Sequence, residues 1–560
     1  MLKRTLSKEL EFWKTSIYRK PLVLQGARQV GKTTLINEFG KTYQQYIYLN
    51  LEKKDHKNYF QEIDDIKELT QRIFFDHKLK WSKLESTLLF IDEIQEQPSA
   101  VNFLRYFFED LPQIHVIAAG SMLENLIGKN ITFPVGRVEY KTLRPFSFEE
   151  FLLAINEELA FEEYKNVPIK KYTTQRLFEL FHTYSFIGGM PEVVKKYAKN
   201  QDITELFPVY QSLINSYFLD AERYAENKNG LDLLRIVIQK ILSEAGNRIT
   251  NKTFTGTDFK TKDITTVLNA IQKTKLIQLI YPTSQFSLPA FPDFKKSPKI
   301  QLLDTGILNF ASSAHTEILA TKDLNNVFKG RIIEHLVGQE ILSTITFPLG
   351  TLHFWSRDKV NSSAELDYVV PYKGHLIPIE VKSGPTGTLK SLLLFLDNSP
   401  LNFGIRLYYG EFSVDNIKTS SGKAVQLFNL PYFLAGQLEA YLPWIWEQTK
   451  KKEIHTFTFR EPDNNYSSER LQKTQTNTNT KFNKKHLLIL KHLQEKPLTG
   501  KVILEEILNI TDQNKNRATY LRFLMKLELI EWTEPENPIS KTQAYRITKK
   551  GIEHLTSDNK

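Results

Sequence analysis

The sequence predicts an α/β fold: a parallel-sheet core at the N-terminus, then helical and further α/β modules. Three observations carry this. Over residues 1–150, short apolar runs alternate with helical stretches, the pattern of a parallel sheet. A glycine-containing loop, Gly26-Ala27-Arg28-Gln29-Val30-Gly31-Lys32-Thr33-Thr34, lies between one such run and a helix. A second run, Leu88-Leu89-Phe90-Ile91, ends in two carboxylates, Asp92 and Glu93.

The expected strands of this core are 21–25, 46–51, 87–92 and 115–119. Residues 151–230 read as helical, interrupted at Gly188-Gly189-Met190-Pro191. Residues 231–312 read as helices followed by a strand pair at 276–281 and 299–303, and 328–430 as a helix and then strands. The polar stretch 450–483 cannot bury much surface and reads as a linker. Residues 484–560 form a compact last unit.

Composition bounds the partners. At about 100–200 residues per domain, 560 residues suggest about three to five domains. A charged fraction of 25% places the chain among folded soluble proteins. With no cysteine, disulfides, thiolate zinc sites and cysteine nucleophiles are excluded, and a reducing cytoplasm is the expected location. The N-terminal stretch is charged and lacks a signal-peptide core, and no apolar run is long enough to span a bilayer. A net charge of +10 favours an anionic partner such as nucleic acid. DNA, protein partners and further copies of the chain stay open as partners.

The glycine loop has the pattern of a phosphate cradle. Gly26 and Gly31 let the backbone wrap closely, so that its N–H groups face phosphate oxygens. The helix that follows adds a favourable dipole. Lys32 would reach the β- and γ-phosphates of ATP, and Thr33 would ligate Mg²⁺. In open α/β sheets ligands bind at the carboxyl ends of strands, so Asp92 suits the Mg²⁺ shell and Glu93 the polarisation of an attacking water. Ser121, after the fourth strand, either senses the γ-phosphate or caps a helix. Arg137 either stabilises transition-state charge, in its own subunit or across an interface, or is a surface arginine.

These residues resemble a prokaryotic family of AAA-type ATPases. Its members join a loop and a strand-end acid motif of this kind to a C-terminal domain of unknown function. The matches are 26–34, 91–95, Gly120-Ser121, Gly136-Arg137, 143–151, 186–194 and Leu303-Asp304-Thr305-Gly306, so the resemblance covers about residues 1–410. It implies a P-loop AAA-type ATPase core, a helical segment with a winged-helix fold, and a nuclease-like α/β fold.

The residues of that last module have a chemistry of their own. Glu334 lies on an amphipathic helix. A two-residue turn at Lys373-Gly374 would pair two strands so that Asp367 opposes Glu380 and Glu365 opposes Lys382, all on one face. Apposed carboxylates repel unless a cation sits between them, so a second divalent ion is expected there. The acids and Lys382 resemble the PD-(D/E)XK nuclease fold, with Glu334 as its helical acid. An inactive, nuclease-like domain that only binds DNA or protein is the alternative.

Residues 484–558 read as three helices and a β-hairpin, a winged helix. Its third helix carries Asn514, Lys515, Asn516, Arg517, Thr519 and Arg522, which suit DNA or a protein partner. In the 231–312 segment, Arg248, Lys252 and Lys260 are too scattered to define a site.

Overall fold

The computed structural model describes residues 3–121, 136–222, 228–244, 248–249, 261–311, 330–347, 350–357, 364–384, 387–451, 484–508, 510–511, 520–521, 523–533 and 544–557. The chain forms two compact units, Met1–Phe459 and Arg460–Lys560.

The first sheet has five parallel strands in the order β2-β3-β4-β1-β5. They are β1 (Leu22–Gln25), β2 (Gln45–Asn50), β3 (Thr87–Asp92), β4 (His115–Gly120) and β5 (Glu139–Thr142). The sequence anticipates the first four to within a residue. β3 and β4 are buried at every position, as expected of central parallel strands covered on both faces.

Strand alternation divides their side chains between two cores. Val23, Leu89, Ile91, Val116 and Ala118 pack against the helices Ile66–Asp76 and Pro98–Glu109. Leu22, Leu24, Leu88, Phe90, Ile117 and Ala119 join a cluster that continues without a break to Ile445. Residues of the first sheet and of the later segments thus share one core. The edge strand β5 is met the same way, with Thr142 N–H donating to Thr346 O at 2.7 Å.

The second sheet has seven strands, in the order β13-β14-β12-β11-β10-β9-β7. The antiparallel pair β10 (Glu365–Tyr372) and β11 (His375–Lys382) turns at Lys373 and Gly374, with φ of 46° and 80°. Two positive φ values in a two-residue turn twist with the strands. Recorded pairs run from Tyr372↔His375 to Tyr368↔Ile379, the register anticipated from the turn. β11 then crosses through the helix Lys390–Asn398 to the parallel β12 (Phe403–Tyr408), which pairs with β14 (Ala424–Pro431), and β13 (Ser413–Lys418) lies antiparallel beside β14.

At the other edge, β7 (Pro282–Thr283) pairs with β9 (His353–Ser356), and β9 pairs with β10. The 231–312 segment is therefore stitched into this sheet. Its remaining strands, β6 (Ile277–Ile280) and β8 (Lys299–Leu302), form a separate antiparallel pair.

The second unit holds the helices Lys484–Glu495 and Lys549–Ser557, and its strands β15 (Ile530–Trp532) and β16 (Tyr545–Ile547) are antiparallel. Ile489, Leu490, Leu493, Leu504 and Leu524 lie in its own core. Lys252, Lys260, Asn514, Lys515, Asn516, Arg517, Thr519 and Arg522 lie outside the described residues. Among the described residues, no helix is long and apolar enough to cross a membrane.

Candidate functional site

The glycine loop joins β1 to the helix Lys32–Gly40. Three of its residues have positive φ: Gly26 at 155°, Gln29 at 63° and Gly31 at 92°. Gly26 must be glycine for a second reason, since a Cβ there would lie 2.4 Å from the carbonyl oxygen of Leu143. Lys32 is buried, and its ammonium donates to Gly26 O at 3.0 Å and Ala27 O at 2.9 Å. Burial lowers its pKa, against the pull of Glu93 and Asp92.

Thr33 and Asp92 meet directly: the hydroxyl donates to Oδ2 at 2.7 Å. Tyr48 OH donates to the same oxygen at 3.2 Å, and Glu93 N–H to Oδ1 at 3.1 Å. Burial raises the Asp92 pKa, and the Thr33 bond partly offsets it. Glu93 sits in the left-handed region, at φ 51° and ψ 46°. For a non-glycine residue that conformation costs on the order of 1–3 kcal/mol, and such strain collects at functional positions. Gln95 Nε2 holds its carboxylate with a bond of 2.6 Å to Oε2.

A hydroxyl and a carboxylate in contact at the carboxyl edge of the sheet suit Mg²⁺, which takes one or two protein oxygens and completes its shell with water and phosphate. Ser121, just past β4, is buried, and its hydroxyl has no hydrogen-bond partner among the described residues. Arg137 is not brought to this site. It precedes β5, whose first residue lies opposite Leu22 at the amino edge of the sheet. There it pairs with Glu109 at 3.0 Å and is half exposed. The phosphate loop follows Gln25 at the opposite, carboxyl edge.

Behind the loop, segments distant in sequence lock together. The Arg4 guanidinium donates to Val30 O at 3.1 Å, to Arg144 O, and to Glu150 Oε1 at 3.1 Å. From the helix Phe207–Glu222, Tyr217 OH donates to Arg28 O at 2.7 Å and Asp220 pairs with Arg28 at 3.2 Å. A Cβ on Gly31 would lie 3.6 Å from Pro191 Cγ. Two residues back, Gly189 O accepts from Phe146 N–H at 2.7 Å, and Gly189 N–H donates to the fully buried Asp304 at 2.5 Å. The motifs at 143–151, 186–194 and 303–306 thus form one contact. Arg4, Tyr217 and Asp220 carried no sequence signal, whereas the glycines and Asp304 stood in the quoted motifs.

The same region holds a pH-sensitive acid. Glu340, on the helix Gly330–Ser343, is fully buried and accepts from Phe148 N–H at 3.1 Å and Tyr184 OH at 2.7 Å. Burial outweighs these bonds and pushes its pKa up to about 8. The folded state therefore keeps this proton to higher pH than the unfolded chain. Stability is greatest below the unfolded carboxylate pKa of about 4.3 and is lost as pH rises through the folded value. Melting temperatures measured from pH 5 to 9 should fall more steeply for the wild type than for Glu340→Gln; parallel curves would refute this.

The second group of predicted site residues also comes together. Val381 N–H donates to Asp367 Oδ2 at 2.7 Å, and Lys382 pairs with Glu380. Glu334 accepts from Lys299 at 2.6 Å, and Lys299 lies 2.7 Å from Glu365. Arg248, from the segment judged too scattered, pairs with Glu365 at 2.8 Å. Burial pushes the pKa values of Glu334, Asp367 and Glu380 up. Burial would lower that of Lys299, but Glu334, Glu365 and Asp367 together raise it. Among the described residues, no three His, Asp or Glu side chains are placed to hold a metal ion. Glu334 and Glu365 both pair with Lys299 instead.

Residues 18–152 match the family model described as an AAA domain. Residues 178–317 and 329–430 match two domains of unknown function, DUF8612 and DUF4143. Residues 486–548 match the C-terminal domain of Fic-like proteins, described as filamentation induced by cAMP. Among solved structures, the Walker-type ATPase PABY2304 of Pyrococcus abyssi is 16% identical, with 56% of this chain and 96% of that one covered, at a TM-score of 0.36. A structure of Drosophila ORC bound to DNA is 13% identical over the same shares of the two chains, 56% and 96%, at a TM-score of 0.23. No curated protein matches the chain. The domain match and the parallel sheet with its phosphate loop together make residues 18–152 an AAA-type ATPase core.

Proposed function

We propose that this chain hydrolyses ATP with Mg²⁺ and that its nucleotide state controls a DNA-acting C-terminal half with a nuclease-like site. One observation carries the ATPase reading: the 2.7 Å contact of Thr33 with Asp92, flanked by Lys32 and Glu93. Lys32 leaves the carbonyls of Gly26 and Ala27 for the β- and γ-phosphates, while loop N–H groups cradle them. Thr33 and Asp92 would hold Mg²⁺, which when bound would supply neutralising charge to the phosphates. Glu93 orients and polarises the attacking water. Ser121 contacts the γ-phosphate, and Arg137 serves a neighbouring copy.

A connected set of contacts supports control of the second site. It runs from Val30 through Arg4 to Arg144, from Phe146 to Gly189, and through Asp304 to Thr305, whose N–H and hydroxyl both bond Gln339 at 2.8 Å. Gln339 shares the helix Gly330–Ser343 with Glu334.

In the nuclease-like site, Asp367 and Glu380 would offer carboxylates to a divalent ion, which would supply Lewis acidity to a phosphodiester, and Lys382 would orient water. Plasmid incubated with the protein, Mg²⁺ or Mn²⁺, and ATP should be cut by the wild type and spared by Asp367→Ala. Equal cleavage by both would sink this site. The pairing of Lys299 with Glu334 favours a second reading, an ATP-gated protein-interaction switch with an inactive nuclease-like domain. ATP-dependent oligomerisation without salt-sensitive DNA binding would identify it.

A further inference from the structure

Lys299 enters the acid cluster from β8, outside the segment that supplies the acids. It is 7% exposed, and its ammonium lies 2.6 Å from Glu334 Oε1 and 2.7 Å from Glu365 Oε1. Arg248 bridges to the backbone of Lys299 and takes the other oxygen of Glu365 at 2.8 Å. Both cations lie over the Phe354 ring, at 4.8 Å and 4.7 Å from its centroid. An ammonium has three donors and can occupy the point between carboxylates that a divalent ion would otherwise take. Separating such a buried pair leaves an uncompensated charge, so Glu334 and Glu365 are not free to turn elsewhere.

Two acids remain, and one of them, Glu380, itself pairs through Oε1 with Lys382. One oxygen of Asp367 is held by Val381 N–H. Glu380 is 6% exposed, and its Oε2 has no hydrogen-bond partner among the described residues. Two carboxylates are the usual protein share of a Mg²⁺-type shell, which water and phosphate complete.

We infer that Lys299 is the resident cation of this cluster: it holds Glu334 and Glu365, leaves a divalent ion only Asp367 and Glu380, and its removal frees Glu334 to join them. The inference rests on the reading of this cluster as a divalent-ion site. It changes what that site requires, since the helical acid serves the protein's own ammonium rather than an ion.

The test is Mn²⁺ binding to the full-length protein without nucleotide, followed by electron paramagnetic resonance. Lys299→Met and Lys299→Gln should bind Mn²⁺ about tenfold more tightly or better, the scale on which neighbouring groups tune metal sites. Adding Asp367→Asn should abolish the gain, which separates this ion from one at Thr33 and Asp92. Lys299→Arg, which keeps the charge, should match the wild type. In the wild-type background Glu334→Gln should leave Mn²⁺ affinity unchanged, and this arm stands if the neutral Lys299 variants do not fold. Unchanged affinity in a folded neutral variant, or a loss in Glu334→Gln, overturns the inference. An Asp367-dependent gain with uncut plasmid would keep the resident cation and reject the nuclease. Cut plasmid with no gain would do the reverse.

Discussion

Glu93→Gln should bind ATP as the wild type does and hydrolyse it about 10²–10⁴-fold more slowly, the range typical of a lost general base. The substitution keeps shape and removes charge. Glu93 follows the strand whose last residue, Asp92, touches Thr33, so its carboxylate stands beside the phosphate loop. Its left-handed backbone is held from both sides: its N–H bonds Asp92, and its carboxylate accepts from Gln95. Lys32→Ala should behave differently and lose nucleotide binding itself, because Lys32 is the buried cation of the loop. Fluorescent-nucleotide titration beside phosphate-release assays separates the two. Hydrolysis by Glu93→Gln at the wild-type rate would refute the assigned role.

Gly189→Ala should cost at least about 3 kcal/mol of stability, the upper end for a forced overpacking. A Cβ there would lie 2.1 Å from Phe146 O and 2.8 Å from Phe146 N, both backbone atoms that no rotamer change can relieve. The same peptide donates to Asp304, which also accepts from Ile307 N–H at 3.1 Å. Moving it endangers buried bonds whose loss costs about 1–3 kcal/mol per stranded group. Because the 143–146 segment also abuts Gly26 and Arg4, ATP binding should weaken as well. Urea midpoints measured with and without ATP test both parts. A midpoint equal to that of the wild type would remove this contact from any account of the fold.

How much was legible beforehand depended on distance along the chain. β3 could be read because a buried parallel strand needs an unbroken apolar run, and Asp92 and Glu93 mark its end. The turn at Lys373-Gly374 was legible because two residues with positive φ leave one favourable register. The packing between distant segments was not. Leu22, Leu24 and Phe90 look like the core of a small domain, yet they pack in one cluster with residues as far away as Ile445. Arg4 lies in a charged N-terminal stretch without a local signal for its role, and its side chain is 7% exposed.

The sequence by itself determined the phosphate loop, its strand-end acids and the β-hairpin that carries Asp367 and Glu380. Each depends on local backbone geometry: glycine conformations, strand alternation and turn handedness act within a few residues. Tertiary structure alone decided what surrounds them. Asp220 on Arg28, Asp304 on Gly189 and Lys299 on Glu334 are matches of charge or hydrogen-bonding capacity between residues far apart. Burial makes such groups pair, but only the fold chooses which ones meet. For the phosphate loop, that choice kept Arg137 away and brought Arg4 in.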